Sequence, residues 1–467
     1  MNNSLFKDSG EKVLHIINKI QKEIKGSYFE GHTFVVGGCV RNAILGKPIK
    51  DIDIVVDVRN GGVSLANYLA FRNKCYKPAS NPVIFPNYGT AKLNFTNDEV
   101  CKDINIEIVQ TRKLHYGSSS KNTNVVFGTI EEDAKLRDLT INSIYYNLSA
   151  ETIVDPNHGI QDIKNKVLKT PTDPFITFTD DALRMMRVIR FATSLGWGIE
   201  KNTWLGILEN SHRIEGVSKE RVADELSKIL LCDTPSVGLA KLCYASLLHR
   251  IVPDIYDLTK VFESKVEKVT LFDHTLKVLD DVQPILEHRL AALFHDVGSV
   301  VECDTRTVNI NKFSSEVAAS DLKELKFSNN VIKSVETAIA NHKYFAEYGD
   351  DVTPSDKKIR KFINTCGDDI AVVLDVMNAN NTHASFGKKP RQVFNIINRM
   401  EELEKTEEAT KVKLPIDGNA IMKEFNLRKG PIIGTILNEI KEAYFENPKI
   451  TKDECFEIAE AVLKKVY

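Results

Sequence analysis

The spacing of apolar residues changes once along this 467-residue chain, at about residue 160. Before that point, segments with the period of a β-strand alternate with helical ones, and in 51–57 Ile52, Ile54 and Val56 occupy every second position among aspartates. After it, apolar residues recur with helical spacing. This change predicts a mixed α/β domain in residues 1–150, followed by a mostly helical chain in which Val308–Ile310 is the only candidate strand.

Composition narrows the class of protein. The chain has 62 Lys and Arg against 64 Asp and Glu, and this balance excludes a wholly basic nucleic-acid-coating protein but not local basic faces. None of the eight cysteines forms a CxxC pair, which favours reduced thiols in the cytosol over a disulfide framework. No apolar run reaches about 18 residues, so we expect a cytoplasmic protein without a membrane partner.

A glycine turn and paired carboxylates form the first candidate site. An apolar run ends at Gly37-Gly38, and a helix is predicted directly after it, so backbone N–H groups are available to a phosphate. Asp51 and Asp53 are two residues apart on a strand, so both side chains leave one face and can hold Mg²⁺. A third acid, Glu107, lies on another alternating strand. The alternative is a tight turn before a solvated strand face.

The segment VVGGCVRNAILGKPIKDIDIVVD, residues 35–57, resembles the GG-x-VRD…DxD signature of class II tRNA nucleotidyltransferases and bacterial poly(A) polymerases, within the polymerase-β-like superfamily. Three later segments follow in the family's order. Residues 134–143 resemble its RRDFTINA motif, residues 179–187 its EDxxR motif and residues 217–221 its ISxER motif.

The resemblance implies an α+β fold, with a polymerase-β-like nucleotidyltransferase head containing a mixed sheet. A helical neck, an HD-like body and an RNA-binding tail would follow it. The corresponding domains are 1–150 (head), 151–260 (neck), 261–400 (body) and 401–467 (tail).

The resemblance also assigns roles to residues. Asp51 and Asp53 would hold two Mg²⁺ ions, with Glu107 as the third catalytic carboxylate. The implied nucleotide-binding residues are Gly37, Gly38, Arg41, Arg137, Asp138, Asn142, Asp180, Asp181, Arg184 and Arg187. Three positions depart from the family pattern, because Asn42 replaces an aspartate, Leu136 an arginine and Asp180 a glutamate.

The EDxxR-like segment contains a carboxylate and a guanidinium that could select a nucleotide base. Cytosine and adenine both present an amine donor beside a ring-nitrogen acceptor, which one carboxylate and one guanidinium a helical turn apart can match. We expect Thr179 to begin a helix with Asp180 and Asp181 in its first turn, although acids at a helix start are also common without any ligand. By resemblance, Asp181 and Arg184 act as the template for CTP and ATP, with Asp180 and Arg187 in support.

A neighbouring segment, residues 112–126, corresponds by resemblance to the flexible family loop linked to the switch from C to A addition. Its glycine and serines fit a mobile loop, although such loops are often inert.

A histidine–aspartate cluster is predicted in the helical part. RLAALFHDVG, residues 289–298, resembles the HD phosphohydrolase core, and His274, His295, Asp296 and His342 could together ligate a metal. Ser299 replaces the HD lysine, Phe313–Glu316 lacks its histidine, and Asn380 replaces an aspartate. These losses favour a retained HD scaffold with an eroded site.

The predicted function is therefore addition of C, C and A to the 3′ end of tRNA, from CTP and ATP, with Mg²⁺ and without a nucleic-acid template. Alternatives are a poly(A) polymerase, a partial CC- or A-adding enzyme, an HD phosphohydrolase, and an RNA-binding relic. Basic runs such as 357–361 are candidate RNA contacts. No obligate protein partner is evident from the sequence.

Overall fold

The computed structural model describes residues 4–74, 82–85, 89–93, 104–116, 123–264, 268–300, 309–384, 387–405 and 414–466. The chain divides into two compact units, Met1–Ser218 with Tyr244–Leu247, and Lys219–Cys243 with Leu248–Tyr467. The predicted α+β class is confirmed. The finer division into head, neck, body and tail stays a prediction. Among the described residues, no helix is both long and apolar enough to cross a membrane.

The first unit holds most of the strands. They are β1 (Thr33–Val36), β2 (Asp51–Val56), β3 (Val83–Phe85), β4 (Thr90–Leu93), β5 (Asn105–Gln110), β6 (Arg112–Tyr116), β7 (Thr123–Phe127), β8 (Tyr145–Asn147), β9 (Thr152–Val154), β10 (Val167–Leu168) and β11 (Gly198–Ile199). Its helices are α1 (Glu11–Ile24), α2 (Gly38–Leu45), α3 (Gly61–Lys74), α4 (Ile130–Lys135), α5 (Gly159–Asn165), α6 (Pro174–Asp180), α7 (Leu183–Leu195) and α8 (Lys201–Asn210).

Seven of these strands form one mixed sheet in the order β3-β4-β5-β2-β1-β8-β9. Strand β2 is central and pairs in parallel with β5 and antiparallel with β1. Its alternation places Ile52 and Ile54 in the buried core, while Asp51 and Asp53 leave the opposite face. Val55 lies farther along that second face, and Ile130 and Ala134 of α4 pack into the same apolar cluster.

The second unit is almost entirely helical. It contains α9 (Lys219–Leu230), α10 (Pro235–Tyr244), α11 (Leu248–Ile251), α12 (Pro253–Asp257), α13 (Leu271–Asp281), α14 (Leu286–Phe294), α15 (Ile310–Glu324), α16 (Asn329–Asn341), α17 (Asp356–Cys366), α18 (Ile370–His383), α19 (Gln392–Lys405), α20 (Gly418–Glu424), α21 (Pro431–Glu446) and α22 (Lys452–Val466). A short antiparallel pair, β12 (Phe262–Ser264) and β13 (Val269–Thr270), precedes α13.

The candidate strand at Val308–Ile310 was wrong. Ile310 begins α15, because the Asn309 side chain accepts a hydrogen bond from Lys312 N at 3.2 Å and caps the helix. Val308 lies outside the described residues. The strands found after residue 160 are instead the two-residue pair β10–β11, in parallel, and the pair β12–β13.

The expected loop at 112–126 is largely a β-hairpin. Strands β6 and β7 pair antiparallel, with Arg112 opposite Phe127 and Tyr116 opposite Thr123. The β-branched residues Thr123, Val125 and Val126 and the aromatic Phe127 of β7 favour a strand. Residues 117–122, with the glycine and serines, lie outside the described residues.

The predicted helix start at Thr179 was also wrong. Thr179 and Asp180 end α6, and Asp181 is extended, with φ −153° and ψ 104°. The Asp181 carboxylate accepts a hydrogen bond from Leu183 N at 3.1 Å, a local contact that competes with continuation of the helix. Asp181 therefore precedes α7, and Arg184 lies in its first turn.

Candidate active site

The turn between β1 and α2 places a glycine against a carboxylate. Gly37 has φ 73° and ψ −137°, a conformation that side chains rarely adopt. A Cβ atom at Gly37 would lie 3.2 Å from Oδ2 of Asp53 and 3.5 Å from Nη1 of Arg137. The Asp53 carboxylate thus faces the glycine turn, at the N-terminus of α2.

The three predicted acids leave one face of the sheet. Asp53 lies opposite Glu107 across the parallel pair β2–β5, and Asp51 lies opposite Asn105. Burial raises the pKa of the Asp53 carboxyl above its usual value; Arg137 opposes this rise, whereas Glu107 and Asp51 add to it. The raised pKa shows that nearby positive charge does not balance the burial of Asp53 and the charges of Glu107 and Asp51. The carboxylate oxygens of these three acids therefore fit a divalent cation.

Arg41 is fixed in a buried position beside this turn. Its Nη1 donates to Asn142 Oδ1 at 2.6 Å, and its Nε and Nη2 donate to Asn42 Oδ1 at 3.1 and 2.8 Å. Burial lowers the pKa of the guanidinium to about 10, so it stays charged at neutral pH. The amide of Asn42 thus supplies the acceptor at the position where the family pattern has a carboxylate.

Asp138 organises its neighbours through both oxygens. Oδ1 accepts hydrogen bonds from Leu139 N at 2.8 Å and Asn142 Nδ2 at 2.9 Å. Oδ2 accepts from Arg187, at 2.9 Å from Nε and 2.7 Å from Nη2. Burial alone would raise the pKa of this carboxyl, but Arg187 and Asn142 outweigh burial and lower it to about 2. Asp138 therefore positions Arg187 and Asn142.

The two residues of the predicted base template are one turn apart. Arg184 N donates to the carbonyl of Asp181 at 3.1 Å. The Arg184 guanidinium is held by two backbone carbonyls, Thr177 O at 3.2 Å from Nη1 and Leu136 O at 2.5 Å from Nη2. These contacts fix the plane of the guanidinium before any base binds. Asp180 is exposed at the end of α6, so it does not share a helix with Arg184.

Several residues at this site were not predicted from the sequence. Phe191 of α7 is surrounded by three guanidinium groups, with Cζ atoms 4.8 Å (Arg41), 5.8 Å (Arg187) and 4.1 Å (Arg190) from its ring centroid. Asp133 of α4 is fully buried and binds Arg137. The signals that could have identified these residues are the four-residue spacings from Arg187 to Phe191 and from Asp133 to Arg137.

Comparison with protein families matches three consecutive parts of the chain. Residues 33–169 match the poly(A) polymerase head domain, residues 196–258 the probable RNA- and SrmB-binding site of polymerase A, and residues 307–457 the putative domain 2 of tRNA nucleotidyltransferases. These three matches support the resemblance to class II tRNA nucleotidyltransferases and poly(A) polymerases.

Several relatives match nearly the whole length of the chain. It is 25% identical to the mitochondrial CCA tRNA nucleotidyltransferase of Candida glabrata, over 92% of this chain and 90% of the relative. It is 26% identical to the CCA-adding enzyme of Ligilactobacillus salivarius, over 98% of both chains. Its fold matches the Bacillus stearothermophilus CCA-adding enzyme solved with CTP, with a TM-score of 0.69, 19% identity, and coverage of 98% of this chain and 99% of that one.

The second unit of this nucleotidyltransferase gathers the predicted histidine–aspartate cluster. His274, His295 and Asp296 are buried, and one ligand atom from each lies within 4.8 Å of the others. Within the described part of the chain, the ligand atoms of the three acids of the sheet do not all lie this close to one another. His342 packs against His295, with ring centroids 5.5 Å apart. The predicted residues are therefore brought together.

Two imidazoles of this cluster present lone pairs. Nδ1 of His295 lies 2.8 Å from Ala292 O, and Nδ1 of His342 lies 2.7 Å from Ile339 O, so each Nδ1 carries the proton. Their Nε2 atoms are buried and accept no hydrogen bond from the described part of the chain, and Nε2 of His295 lies 3.2 Å from Oδ2 of Asp296. Two imine nitrogens, one of them in contact with a carboxylate, fit a cation.

Two features separate the cluster from an HD hydrolase. Lys343 Nζ donates to Asp296 Oδ1 at 2.9 Å, so an ammonium already neutralises the carboxylate. Asn380 Oδ1 lies 3.2 Å from His274 Nε2, where the HD pattern has a charged aspartate.

The basic run 357–361 pairs largely within the second unit. Lys357 lies 2.5 Å from Glu446 and Lys361 lies 2.6 Å from Glu442, while Lys358 pairs with Glu347. Arg360 is buried and donates to Phe445 O at 2.9 Å. These side chains stabilise helix packing, and this reduces the support for 357–361 as an RNA-binding surface.

Proposed function

We propose that this enzyme adds C, C and A to the 3′ end of tRNA, taking CTP and ATP as substrates without a nucleic-acid template. The observation that carries the proposal is the Asp53 carboxylate, which faces the positive-φ glycine turn and lies beside Glu107. The relatives from Candida glabrata and Ligilactobacillus salivarius, which match at least nine-tenths of the chain, are named for CCA addition, and this favours that reaction over poly(A) synthesis.

The acids of the sheet are proposed to hold Mg²⁺. Asp51 and Asp53 would be the ligands of two ions, with Glu107 as the third catalytic carboxylate. Divalent ions at such a site favour ionisation of the attacking hydroxyl and neutralise charge on the leaving group. The tRNA 3′-oxygen forms the new bond to the α-phosphorus, and the bond from that phosphorus to the oxygen bridging to the β-phosphorus breaks. The hydroxyl proton passes to solvent water, and pyrophosphate leaves with the bridging oxygen.

The triphosphate is proposed to lie along the glycine turn. Gly37 and Gly38 allow the phosphates to approach the backbone N–H groups at the start of α2, because neither adds a side chain there. Arg41 and Arg137 supply positive charge beside the turn. Asp138 keeps Asn142 and Arg187 oriented and need not contact the nucleotide itself, since protein donors already bind both of its oxygens.

Base choice is proposed to depend on Asp181 and Arg184, with Arg187 and Asp180 in support. The carboxylate accepts from the exocyclic amine of cytosine or adenine, and the guanidinium donates to the adjacent ring nitrogen. Uracil and guanine present a carbonyl in place of the amine, so the carboxylate would be left unpaired, at a cost of roughly 1–3 kcal/mol. Because backbone carbonyls hold Arg184, the site discriminates without rearranging.

For the second unit, we infer that the histidine cluster binds one transition-metal ion but does not hydrolyse phosphoesters. The buried Nε2 atom of His342 and the Nε2 atom of His295, which lies 3.2 Å from Oδ2 of Asp296, support binding. Burial of the cluster, the Lys343 ammonium on Asp296 and the neutral Asn380 argue against a reactive centre.

The cytoplasm is proposed as the place of the reaction. The described cysteines occur as free thiols, as expected in a reducing compartment, and they are Cys39, Cys232, Cys243, Cys366 and Cys455.

The direct test uses tRNA that ends at the discriminator base, with Mg²⁺ and each labelled nucleotide in turn. CCA addition requires CTP first and then ATP, and it stops after three nucleotides. Long A-tails from ATP alone would identify a poly(A) polymerase, and a halt after CC, or incorporation of A only, would identify a partial enzyme.

A further inference from the structure

A buried carboxylate outside the predicted site, Asp133 of α4, binds three separate elements. Oδ1 lies 3.1 Å from the backbone N and 3.5 Å from Nε of Arg112, the first residue of β6. Oδ2 accepts from the Tyr145 hydroxyl at 2.7 Å and from Arg137 Nη2 at 3.0 Å. Asp133 thus joins the hairpin, the central sheet and an arginine at the glycine turn.

The start of α4 fixes the direction of this carboxylate. Thr129 caps the helix by accepting from Glu132 N at 3.2 Å, and the Glu132 side chain accepts from Thr129 N at 2.9 Å. Asp133 follows directly and is 0% exposed. Burial would raise the pKa of its carboxyl, but Arg137 and Arg112 outweigh burial and hold the pKa below its usual value. The residue is therefore ionised at neutral pH.

Asp133 determines the orientation of the Arg137 guanidinium. Two of its nitrogens, Nε at 3.3 Å and Nη2 at 3.0 Å, face Asp133 Oδ2. The third, Nη1, lies 3.5 Å from the point that a Cβ on Gly37 would occupy. The Tyr145 ring supports the group, with Arg137 Cζ 5.5 Å from its centroid. One edge of the guanidinium is thus held by protein while the other faces the turn.

We propose that Asp133 is a positioning residue for nucleotide binding, whose negative charge holds Nη1 of Arg137 at the glycine turn against the polyphosphate of a nucleoside triphosphate. The inference deepens the proposed function and rests on it. The same carboxylate binds the root of the β6–β7 hairpin, so the hairpin and Arg137 share one anchor.

Asp53 determines what happens to Arg137 when the charge of Asp133 is removed. Asp53 Oδ2 lies 3.2 Å from the same Cβ point on Gly37. Without Asp133, the Asp53 carboxylate is the remaining anion beside Arg137, and an ion pair between them would withdraw both groups from their ligands. Nucleotides with a polyphosphate should therefore lose affinity, whereas a nucleoside monophosphate should be little affected.

The test compares Asp133→Asn with Tyr145→Phe. The first removes the charge and keeps the shape, and the second removes one hydrogen bond to the same oxygen and keeps the ring under Arg137. Equilibrium binding of CTP and of CMP is measured for the full-length protein, together with its thermal unfolding. We expect Asp133→Asn to weaken CTP binding by at least about tenfold and CMP binding by less than about twofold, with Tyr145→Phe near wild type for both.

Different results would contradict the positioning role of Asp133 and the proposed function. Equal CTP affinity in Asp133→Asn and wild type, or equal losses for CTP and CMP, would overturn the positioning role. A wild-type protein that binds no CTP would overturn the proposed function as well. Should Asp133→Asn fail to fold, Arg137→Lys carries the test, because a lysine cannot contact Asp133 and the turn at once. A CTP-specific loss is expected there too, and unchanged CTP affinity would refute the inference.

Discussion

Asp53 and Glu107 lie directly opposite each other on two parallel neighbouring strands, and their side chains leave the same face of the sheet. Strand β1 flanks the pair on the other side, with Val36 opposite Asp53, and the glycine turn follows Val36 at once. The acids and the phosphate-binding turn are thus positioned by backbone pairing of the central strands.

The close approach of Gly37 to Asp53 predicts the effect of a methyl group there. Gly37→Ala should abolish most nucleotide incorporation, because the new Cβ would lie 3.2 Å from the Asp53 carboxylate. The matched control is Gly46→Ala, which also has positive φ, 63°, but has no atom within 4 Å of the added Cβ. Gly46→Ala should lose about 1–2 kcal/mol of stability from left-handed backbone strain. Gly37→Ala should lose at least as much, because ψ −137° lies outside the left-handed α region. Similar activity in the two variants would show that contact with Asp53 is unimportant.

Arg184→Ala should relax the choice of nucleotide. Removing the guanidinium takes away the donor that pairs with the ring nitrogen of cytosine or adenine, so discrimination against UTP should fall by roughly 10–100-fold. The measurement is the ratio of kcat/KM for CTP to that for UTP with tRNA lacking CCA. An unchanged ratio would remove Arg184 from base selection and leave the transfer site intact.

Asp138 should make a pH-dependent contribution to the stability of the first unit. Its pKa is about 2 in the folded protein, below the value near 3.9 of an unfolded chain, so the ionised form stabilises the fold. That contribution, roughly 2 kcal/mol, is present above about pH 4 and is lost as pH falls from about 4 towards 2. Thermal unfolding of wild type and Asp138→Asn should therefore differ at pH 6 and converge at low pH. A difference that stays constant with pH would contradict this account.

The histidine cluster should take up about one transition-metal ion per chain and show no phosphodiesterase activity. Incubation with Ni²⁺ or Zn²⁺, desalting and metal analysis measure the first property, and hydrolysis of a 2′,3′-cyclic nucleotide measures the second. His295→Ala should lose the metal, because it removes one of the lone-pair donors. Metal-dependent turnover of the cyclic substrate would instead establish the hydrolase.

Much of the fold could be predicted from local patterns. The alternation in β2 and β5 predicted two strands. It also placed Asp53 and Glu107 on the faces opposite the apolar residues, without any knowledge of how the strands pair. The break between α6 and α7 could not be predicted from periodicity, because it depends on the Asp181 side chain bonding to Leu183 N. The β6–β7 hairpin was not predicted, because the glycine and serines between its strands are typical of a loop and the strands are only five residues each.

Site residues could be predicted where they lie in short sequence motifs. Asp133 was missed because its partners are Arg112, 21 residues earlier, and Tyr145, 12 residues later. Only the fold brings these side chains to one buried carboxylate. The ion pair between Asp296 and Lys343 was not predicted for the same reason, because the two residues are 47 positions apart.

The most direct test of the central claim is incorporation of labelled CMP into tRNA lacking CCA by wild type, Asp53→Asn and Asp57→Asn, with tRNA binding measured in parallel. Asp57 lies just beyond the same strand and accepts a hydrogen bond from Thr111 Oγ1 at 3.1 Å, so its variant controls for loss of an acid nearby. We predict no incorporation by Asp53→Asn, substantial incorporation by Asp57→Asn, and near-normal tRNA binding by both. Appreciable turnover in Asp53→Asn would contradict the account.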